Sequence, residues 1–282
     1  MGYEILYKKE LCQNQFEIRV KAPFITKNAQ AGQFIILRTD KNSERIPLTI
    51  ADYDRKNEIL TIVYMAVGYT TKKLATLDVG DYIEDIVGPL GCPTHIEKYG
   101  TVICVAGGYG AAPCYLIAKA FKEAGNKVHM VMGARTKDLI FWEDKMKNAS
   151  DELHITTDDG SYGTKGFTTD VAKKIIDSEK VDYVIAVGPM PMMRAVAKLT
   201  EPYKIKTEAS MNPIMVDGTG MCGACRLTVG GEVKFACVDG PDFDAHKIDF
   251  DEVINRTRIY KEEEKRCDET KCNLIKQAIE LK

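Results

Sequence analysis

The sequence predicts a β-barrel followed by an α/β domain, with a small cysteine-containing subdomain at the C-terminal end. Three patterns predict this fold class. Short runs that alternate apolar and polar residues fill the first third of the chain, uninterrupted apolar runs ending at glycines occupy the middle, and closely spaced cysteines lie in a glycine-rich loop near the end. The changes from one pattern to the next divide the chain into residues 1–97, 98–205 and 206–282.

The composition limits the class of protein. The chain has 282 residues, of which 45% are hydrophobic and 28% charged, so more than one domain is expected. A net charge of -2 argues against a general nucleic-acid binder or a basic membrane-surface protein. The first residues lack a signal pattern, and an odd total of nine cysteines favours free thiols and metal ligands over disulfides. These features predict a soluble, cytoplasmic protein.

The first domain is predicted to be a small antiparallel barrel, because runs such as residues 16–20 and 60–64 alternate with the period of a strand. Residues 45–49 (RIPLT) combine an arginine, a proline and a hydroxyl that could hold a pyrophosphate and the polar edge of a ring system. Residues 68–71 (GYTT) open a predicted helix whose start could receive a phosphate. The alternatives are an edge-strand arginine paired with a carboxylate, and Thr70 as a plain helix cap.

The middle domain is predicted to be a parallel sheet that binds a nucleotide. Residues 102–106 form an apolar run, residues 107–113 (GGYGAAP) form a glycine turn, and a helical pattern follows. This order brings backbone N–H groups close to a pyrophosphate. The glycines do not match the GxGxxG spacing, so a dinucleotide fold built from two equal halves is not supported.

Three further strands are predicted in this domain, at residues 128–132, 153–157 and 183–187. Each ends at glycine or polar residues, and the carboxyl ends of parallel strands are where open α/β sheets bind ligands. Arg135 follows the first of these strands and fits either a ribose or phosphate contact or a solvated loop residue.

The C-terminal loop, residues 216–225 (VDGTGMCGAC), carries the most specific motif. Four residues separate Asp217 from Cys222, and two separate Cys222 from Cys225; this is the plant-type [2Fe–2S] ligand spacing with Asp at the first position. Cys237 would complete the ligand set, and the anionic oxygen of Asp217 should tune the potential of the cluster. A zinc site and free buried cysteines are the alternatives. A charged helical tail follows, in which Cys267 and Cys272 are interpreted as free thiols.

The succession of barrel, nucleotide-binding sheet and cluster loop resembles the ferredoxin reductase superfamily over essentially the whole chain, and more narrowly the electron-transfer subunits of dihydroorotate dehydrogenases. Residues 45–49, residues 107–113, residues 188–193 (GPMPMM) and the cluster loop carry the resemblance. Asp217 stands where those subunits usually have a fourth cysteine, and Val187 where many ferredoxin reductases have a cysteine. The Asp-plus-three-Cys pattern resembles the small subunits of NADH-dependent reduced ferredoxin:NADP+ oxidoreductases, also known as sulfide dehydrogenase β subunits.

The resemblance implies FAD on the barrel, NAD(H) on the sheet, with NADP(H) as the second candidate, and a [2Fe–2S] cluster in the C-terminal loop. The expected FAD-site residues are Arg45, Pro47, Leu48, Thr49, Val63, Tyr64, Met65, Gly68, Thr70 and Thr71. The expected nucleotide-site residues are Gly107, Gly108, Gly110, Ala111, Pro113, Gly133, Arg135, Asp158, Gly188, Pro189 and Met190. The expected cluster ligands are Asp217, Cys222, Cys225 and Cys237.

The resemblance also implies a function. A hydride would pass between NAD(H) and FAD, and single electrons between FAD and the cluster. The partner would be a large, glutamate-synthase-like flavoprotein and iron–sulfur subunit of an electron-bifurcating heteromer, with ferredoxin reached indirectly. The alternatives are the electron-transfer subunit of an NAD-dependent dihydroorotate dehydrogenase and a zinc-stapled nucleotide-binding regulatory module. Since the cofactors carry the chemistry, no catalytic acid or base is assigned, and His95, His129, His154 and His246 are given core or surface roles.

Overall fold

The computed structural model describes residues 2–264 and 266, and Cys267 and Cys272 lie outside this range. The strands are β1 (Tyr3–Cys12), β2 (Gln15–Lys21), β3 (Phe34–Arg38), β4 (Ile46–Asp54), β5 (Ile59–Met65), β6 (Tyr82–Ile83), β7 (Asp85–Leu90), β8 (Thr101–Gly107), β9 (Lys127–Ala134), β10 (Glu152–Thr157), β11 (Thr164–Lys165), β12 (Tyr183–Val187), β13 (Lys206–Ser210), β14 (Arg226–Val229), β15 (Glu232–Phe235) and β16 (Asp242–Asp244). The helices are α1 (Pro23–Asn28), α2 (Tyr69–Leu74), α3 (Ala111–Glu123), α4 (Glu143–Ala149), α5 (Thr168–Ser178), α6 (Met190–Thr200) and α7 (Phe250–Arg256).

The first sheet is a nearly closed antiparallel barrel, as predicted. Its strand order is β6-β1-β2-β5-β4-β3-β7. Strands β6 and β7 occupy opposite ends of this order, yet only Glu84 separates them along the chain. The sheet must therefore curl until its two edges almost meet. Ile18, Leu60 and Ile62 on the central strands are fully buried.

The second sheet is the predicted nucleotide-binding type, with the order β11-β10-β9-β8-β12-β13-β16. All neighbouring strands are parallel except β13 and β16. Alternate residues of β8 enter different cores: Val102 and Cys104 pack in the cluster that contains α3, whereas Ile103 and Val105 pack with residues of α5 and α6. Helices on both faces explain why β8 reads as a continuous apolar run rather than an alternating one.

The sheet extends beyond residue 205, the predicted end of the nucleotide-binding domain. Strand β13 pairs in parallel with β12, and β16 then pairs with β13 in the opposite direction. Residues 211–241 lie between these two strands and contain the β14–β15 hairpin and residues 216–225, which we call the cysteine loop. The edge of the parallel sheet thus holds both ends of the segment that carries the cysteine loop. The division of the chain at residues 97 and 205 stays a prediction.

The barrel and the parallel sheet share one apolar core. Buried residues of the barrel, such as Ile35 and Ile50, belong to the same cluster as Ile117 and Phe121 of α3, and α3 packs against β4. A hydrogen bond of 3.0 Å from Trp142 Nε1 to a Glu17 oxygen adds a polar link between the two parts. Across residues 2–264 and 266, no helix has the length and apolar character needed to cross a membrane.

Replacing Phe121 by alanine should destabilise this core. The Phe121 ring is fully buried and lies 5.2 Å from the Tyr183 ring and 6.0 Å from the Tyr99 ring, measured between centroids. We expect a loss of about 3–5 kcal/mol in the free energy of unfolding, because the cavity left behind cannot fully collapse. Denaturant unfolding followed by circular dichroism measures it. Phe24→Ala is the control, since that side chain is 72% exposed; equal losses in both variants would contradict the packing described.

Candidate functional site

A cavity of about 320 Å³ lies where the barrel, the parallel sheet and the C-terminal segment meet. Its walls come from all three parts of the chain. Phe34 and Leu48 belong to the barrel, Gly188 follows a strand of the parallel sheet, and Asn212 and Met215 precede the cysteine loop. A concave, mainly apolar site with a few polar groups is the usual form of a cofactor pocket.

Seven of the ten residues predicted to bind FAD line this cavity; they are Pro47, Leu48, Thr49, Val63, Tyr64, Met65 and Thr71. The other three lie outside its wall. Arg45 is exposed just before β4, and Gly68 is the cap residue of α2. Thr70 is buried, and its hydroxyl donates a 3.0 Å hydrogen bond to a Glu44 oxygen. The cavity therefore gathers most of the predicted FAD residues through β4 and β5.

Tyr64 lines this cavity, and its hydroxyl is a buried donor. Among the residues described, it has no hydrogen-bond partner, and burial raises the pKa of Tyr64 above its ordinary range. The ring is held in place by stacking on Phe16, with 5.7 Å between centroids. An unpaired buried hydroxyl costs free energy, so a cofactor with polar ring atoms would complete its hydrogen bonding.

The predicted nucleotide residues all lie at or just beyond the carboxyl ends of β8, β9, β10 and β12. Residues 107–113 form the turn into α3, and residues 188–190 lead into α6. Gly133 lies at the end of β9, Arg135 follows that strand, and Asp158 follows β10. Gly110, Pro113 and Gly188 line the cavity, whereas Gly107, Gly108, Ala111, Gly133, Arg135, Asp158, Pro189 and Met190 are not part of its wall. One edge of the sheet thus holds the complete predicted set.

The two turns at residues 107–110 and 188 need glycine because their backbones touch. A Cβ atom on Gly110 would lie 2.4 Å from the Val187 carbonyl oxygen, and one on Gly188 would lie 3.0 Å from the backbone of Gly107. Gly108 has φ of +55°, and space is open around its Cα. The open space at Gly108 leaves room for a phosphate group beside this turn.

Sequence reasoning missed the C-terminal side of the cavity. Asn212 Nδ2 donates a 2.7 Å hydrogen bond to the Tyr109 hydroxyl, which links the residue 107–113 turn to the segment before the cysteine loop. The Tyr109 side chain is partly exposed, at 37%, and this hydrogen bond fixes its phenol. Tyr109 lies inside the residue 107–113 motif recognised in the sequence. No local sequence pattern marks Asn212.

The structure brings two of the four candidate cluster ligands into direct contact. Cys225 and Cys237 are both buried, with their Sγ atoms 3.2 Å apart, and Cys222 is exposed. Burial, with the Cys225 thiol beside it, raises the pKa of Cys237 to about 12. Two buried thiols become thiolates together only next to a strong positive charge such as a metal ion. The donor set fits a bound metal or cluster better than a pair of free cysteines.

Asp217 is built into the same loop through its carboxylate. One oxygen accepts the Thr219 N–H at 2.6 Å and the other accepts the Cys222 N–H at 2.8 Å. These backbone hydrogen bonds, that from Thr219 foremost, hold the pKa of the Asp217 carboxyl below its usual range. An ionised carboxylate is therefore fixed at the position that the spacing gives to the first ligand, and it also shapes the loop.

Gly218 allows this loop to rest directly on the barrel. Its φ of +76° is in the left-handed region, and a Cβ atom there would lie 2.8 Å from Ile36 of β3 and 3.0 Å from Leu90 of β7. Both the backbone conformation and the close approach exclude a larger residue. Because Met215 lines the cavity only two residues before Asp217, the cysteine loop lies beside the cavity.

Two sequence families match parts of the chain. The iron–sulfur cluster binding domain of dihydroorotate dehydrogenase B matches residues 212–249. The oxidoreductase NAD-binding domain matches residues 104–198. These matches cover the cysteine loop and most of the parallel sheet, so they confirm the predicted identity of both parts and count against the zinc-stapled module.

Relatives match nearly the whole chain. The dihydroorotate dehydrogenase B (NAD+) electron transfer subunit homolog of Thermotoga maritima is 47% identical over 93% of both chains. A chain from the NADH-dependent reduced ferredoxin–NADP oxidoreductase structure superimposes with a TM-score of 0.91 at 45% identity, covering 95% of this chain and 97% of that one. A ferredoxin reductase of carbazole 1,9a-dioxygenase shares the fold alone, with a TM-score of 0.58 at 18% identity over 73% of this chain and 66% of its own. The chain belongs to the family of dihydroorotate dehydrogenase B electron-transfer subunits and their homologues.

Proposed function

We propose that this chain is an electron-transfer flavoprotein subunit, which exchanges a hydride between NAD(H) and FAD and single electrons between FAD and a [2Fe–2S] cluster. We assign it to the small-subunit position of an electron-bifurcating NADH-dependent ferredoxin:NADP+ oxidoreductase. The observation that carries this proposal is the cavity of about 320 Å³, whose wall is shared by the barrel, the nucleotide-binding sheet and the segment leading into the cysteine loop.

When bound, FAD supplies the conversion between hydride transfer and single-electron transfer, and the cluster supplies the single-electron step. The protein's own task is to position these groups. Pro47, Leu48 and Thr49 of β4, with Tyr64 of the neighbouring β5, would hold the flavin edge, and the apolar wall would exclude water. The residue 107–110 turn would bind the nucleotide phosphates through backbone N–H groups.

The cluster ligands would be Asp217, Cys222, Cys225 and Cys237. Cys225 and Cys237 form a buried pair, Asp217 is held by backbone N–H groups of the loop, and Cys222 is exposed to solvent. This arrangement gives the electron path an inner end at the cavity and an outer end at the protein surface.

A large flavoprotein and iron–sulfur subunit would receive the electrons at that outer end. Three apolar side chains of the cysteine loop and its surroundings are exposed: Met221 is 88%, Val216 51% and Val238 43% accessible. Such a patch beside a surface redox centre favours a protein partner. Ferredoxin would be reached through that partner. The seven cysteines of the described residues are free thiols, which supports a cytoplasmic location.

The second candidate is the electron-transfer subunit of an NAD-dependent dihydroorotate dehydrogenase. The family match of residues 212–249 favours it, and it would use the same cofactors with a different large subunit. The similarity over nearly the whole chain to the ferredoxin–NADP oxidoreductase structure favours the first candidate. The large subunit that co-purifies from the native source, identified by mass spectrometry, separates the two.

Protein purified without oxygen should contain FAD and equal amounts of iron and acid-labile sulfide. Cys222→Ala and Cys225→Ala should each lose the iron, the sulfide and the iron–sulfur absorption while retaining FAD, because the flavin cavity does not depend on these thiols. Absorption spectra and metal analysis measure both. Cys92→Ala, another exposed cysteine, is the control and should keep the cluster. Persistence of the cluster in both loop variants, or zinc in place of iron, would refute the ligand assignment.

Asp217→Cys should retain the cluster but change its reduction potential, because a thiolate donates charge to iron differently from a carboxylate. Redox titration followed by electron paramagnetic resonance measures the change. Asp239→Asn is a matched control: its carboxylate also accepts a backbone N–H in this subdomain, from Phe235 at 2.7 Å, but it is not a candidate ligand. A potential that Asp217→Cys leaves unchanged would mean that Asp217 only shapes the loop.

Tyr64→Phe should weaken FAD binding, because it removes the one buried hydroxyl that we expect to bond the flavin. The loss of a hydrogen bond of about 0.5–1.5 kcal/mol corresponds to a roughly two- to tenfold higher Kd. Fluorescence of released flavin on dilution measures it. Tyr53→Phe is the control, since the Tyr53 hydroxyl contacts Arg55 at the surface. Identical flavin affinities in all three proteins would place the Tyr64 hydroxyl away from the flavin.

A further inference from the structure

Two histidines and two glutamates form a cluster at the edge of the parallel sheet opposite the cavity. His129 lies near the start of β9, Glu152 and His154 near the start of β10, and Glu179 just after α5. The cavity, by contrast, adjoins the carboxyl ends of the strands. This cluster therefore belongs to neither the flavin site nor the cysteine loop, and the proposed electron path does not use it.

Three of these side chains present ligand atoms at spacings that suit one metal ion. His129 Nδ1 and His154 Nε2 are 3.3 Å apart, and each lies 3.7 Å from Oε2 of Glu152. A triangle with these edges has a centre about 2.1 Å from all three corners, which matches the bond lengths of Zn²⁺ to imidazole nitrogen and carboxylate oxygen. In this structure the two ring nitrogens point at each other, since the ring centroids are 5.6 Å apart, so the imidazoles must turn to aim their lone pairs at a bound ion.

The surroundings orient His129 as a ligand. Its ring is only 2% exposed, and its second nitrogen, Nε2, lies 3.1 Å from a Glu179 oxygen, although the N–H is not aligned on that oxygen. A carboxylate behind a histidine is the usual outer partner of a metal-binding imidazole, since it directs the other nitrogen at the metal. Glu179 is in turn fixed by Lys127, whose ammonium contacts its two oxygens at 2.8 and 2.9 Å.

Lys127 does not occupy the proposed metal position. It approaches Glu152 at Oε1, at 3.4 Å, whereas both histidines approach Oε2. One oxygen of Glu152 therefore faces the lysine and the other faces the two imidazoles. The positive charge of Lys127 also offsets the negative charge of Glu179, so the site as a whole is not strongly acidic. A hard cation that needs several carboxylates, such as Ca²⁺, is disfavoured by this donor set.

We propose that His129, Glu152 and His154 bind a single divalent transition-metal ion, Zn²⁺ by preference, with water in the fourth position. Two nitrogens and one oxygen are donors that zinc accepts, and three protein ligands with one open position form a recognised zinc geometry. The ion would join β9 to β10 and, through Glu179, both strands to the end of α5. The proposal is independent of the flavin and cluster assignments.

The ion can reach this site from solvent. His154 is 30% and Glu152 50% exposed at the side chain, so the ion would enter from their side and meet the buried His129 last. Burial, followed by the neighbouring His129, lowers the pKa of His154, which favours the neutral imidazole that metals require. Metal binding requires that Nδ1 of His129 and Nε2 of His154 both be free of a proton.

Zinc binding to the holoprotein tests the proposal directly. The protein is dialysed against Zn²⁺, and zinc, iron and sulfide are measured together. We expect one zinc per chain with the iron and sulfide content unchanged, and a higher melting temperature. His154→Gln and Glu152→Gln, both at partly exposed positions, should lose the retained zinc and the thermal shift. Glu179→Gln should retain the site with a Kd raised about 10- to 100-fold, as for other outer-sphere partners.

His95→Gln is the matched control, because that histidine is exposed and also lies near a glutamate, 4.0 Å from Glu97. It should bind zinc like the original protein. Zinc retained equally by His154→Gln, zinc taken up only as iron is lost from the cysteine loop, or no zinc retained by the original protein would each overturn the proposal. The flavin and cluster spectra of each variant report whether it is folded. Loss of the whole structure is therefore recognised separately from loss of the metal.

Discussion

The apolar contact between α3 and β4 is the interaction on which the rest of the structure depends. It merges the interior of the barrel with one face of the parallel sheet, and Phe121, Ile117 and the barrel residues Ile35 and Ile50 form a single core. A cavity can form between two domains only if their relative position is fixed. Because the position here is fixed by tightly packed side chains rather than by a flexible linker, β4 and the residue 107–113 turn face each other at a set distance.

The C-terminal segment uses this fixed frame in a different way. As far as the structure describes it, it contributes no buried residue to the common core, packs instead with the other face of the sheet, and returns to the sheet as β16, which pairs with β13. Between the two strands, the Tyr109–Asn212 hydrogen bond draws the segment to the cavity, and Gly218 lays the cysteine loop against the barrel. Three parts of the chain therefore converge at one place. Such convergence is what a chain of redox groups requires, since electrons transfer between centres only over short distances.

Much of this arrangement could be predicted from the sequence because its determinants are local. The Asp217–Cys222–Cys225 spacing, the residue 107–113 turn and the buried strands each lie within a few consecutive residues. The partners that were missed depend on distant segments. Asn212 reaches Tyr109 only through the fold, and His129 meets Glu152 only because β9 and β10 pair in that register. Glu152 and His154 are two residues apart on β10, but His129 lies on another strand, so spacing along the chain does not reveal the complete set.

The pairing of β13 with β16 has a consequence for how the protein matures. Residues 211–241 form a loop whose ends are already joined by strand hydrogen bonds and by a shared core. The entropy lost in closing a loop of this length is therefore offset by the protein chain itself, and not by the metal centre. The ends of this segment are therefore held by strand pairing that does not involve the candidate cluster ligands. A segment anchored in this way at both ends would let the polypeptide fold first and receive a cluster afterwards.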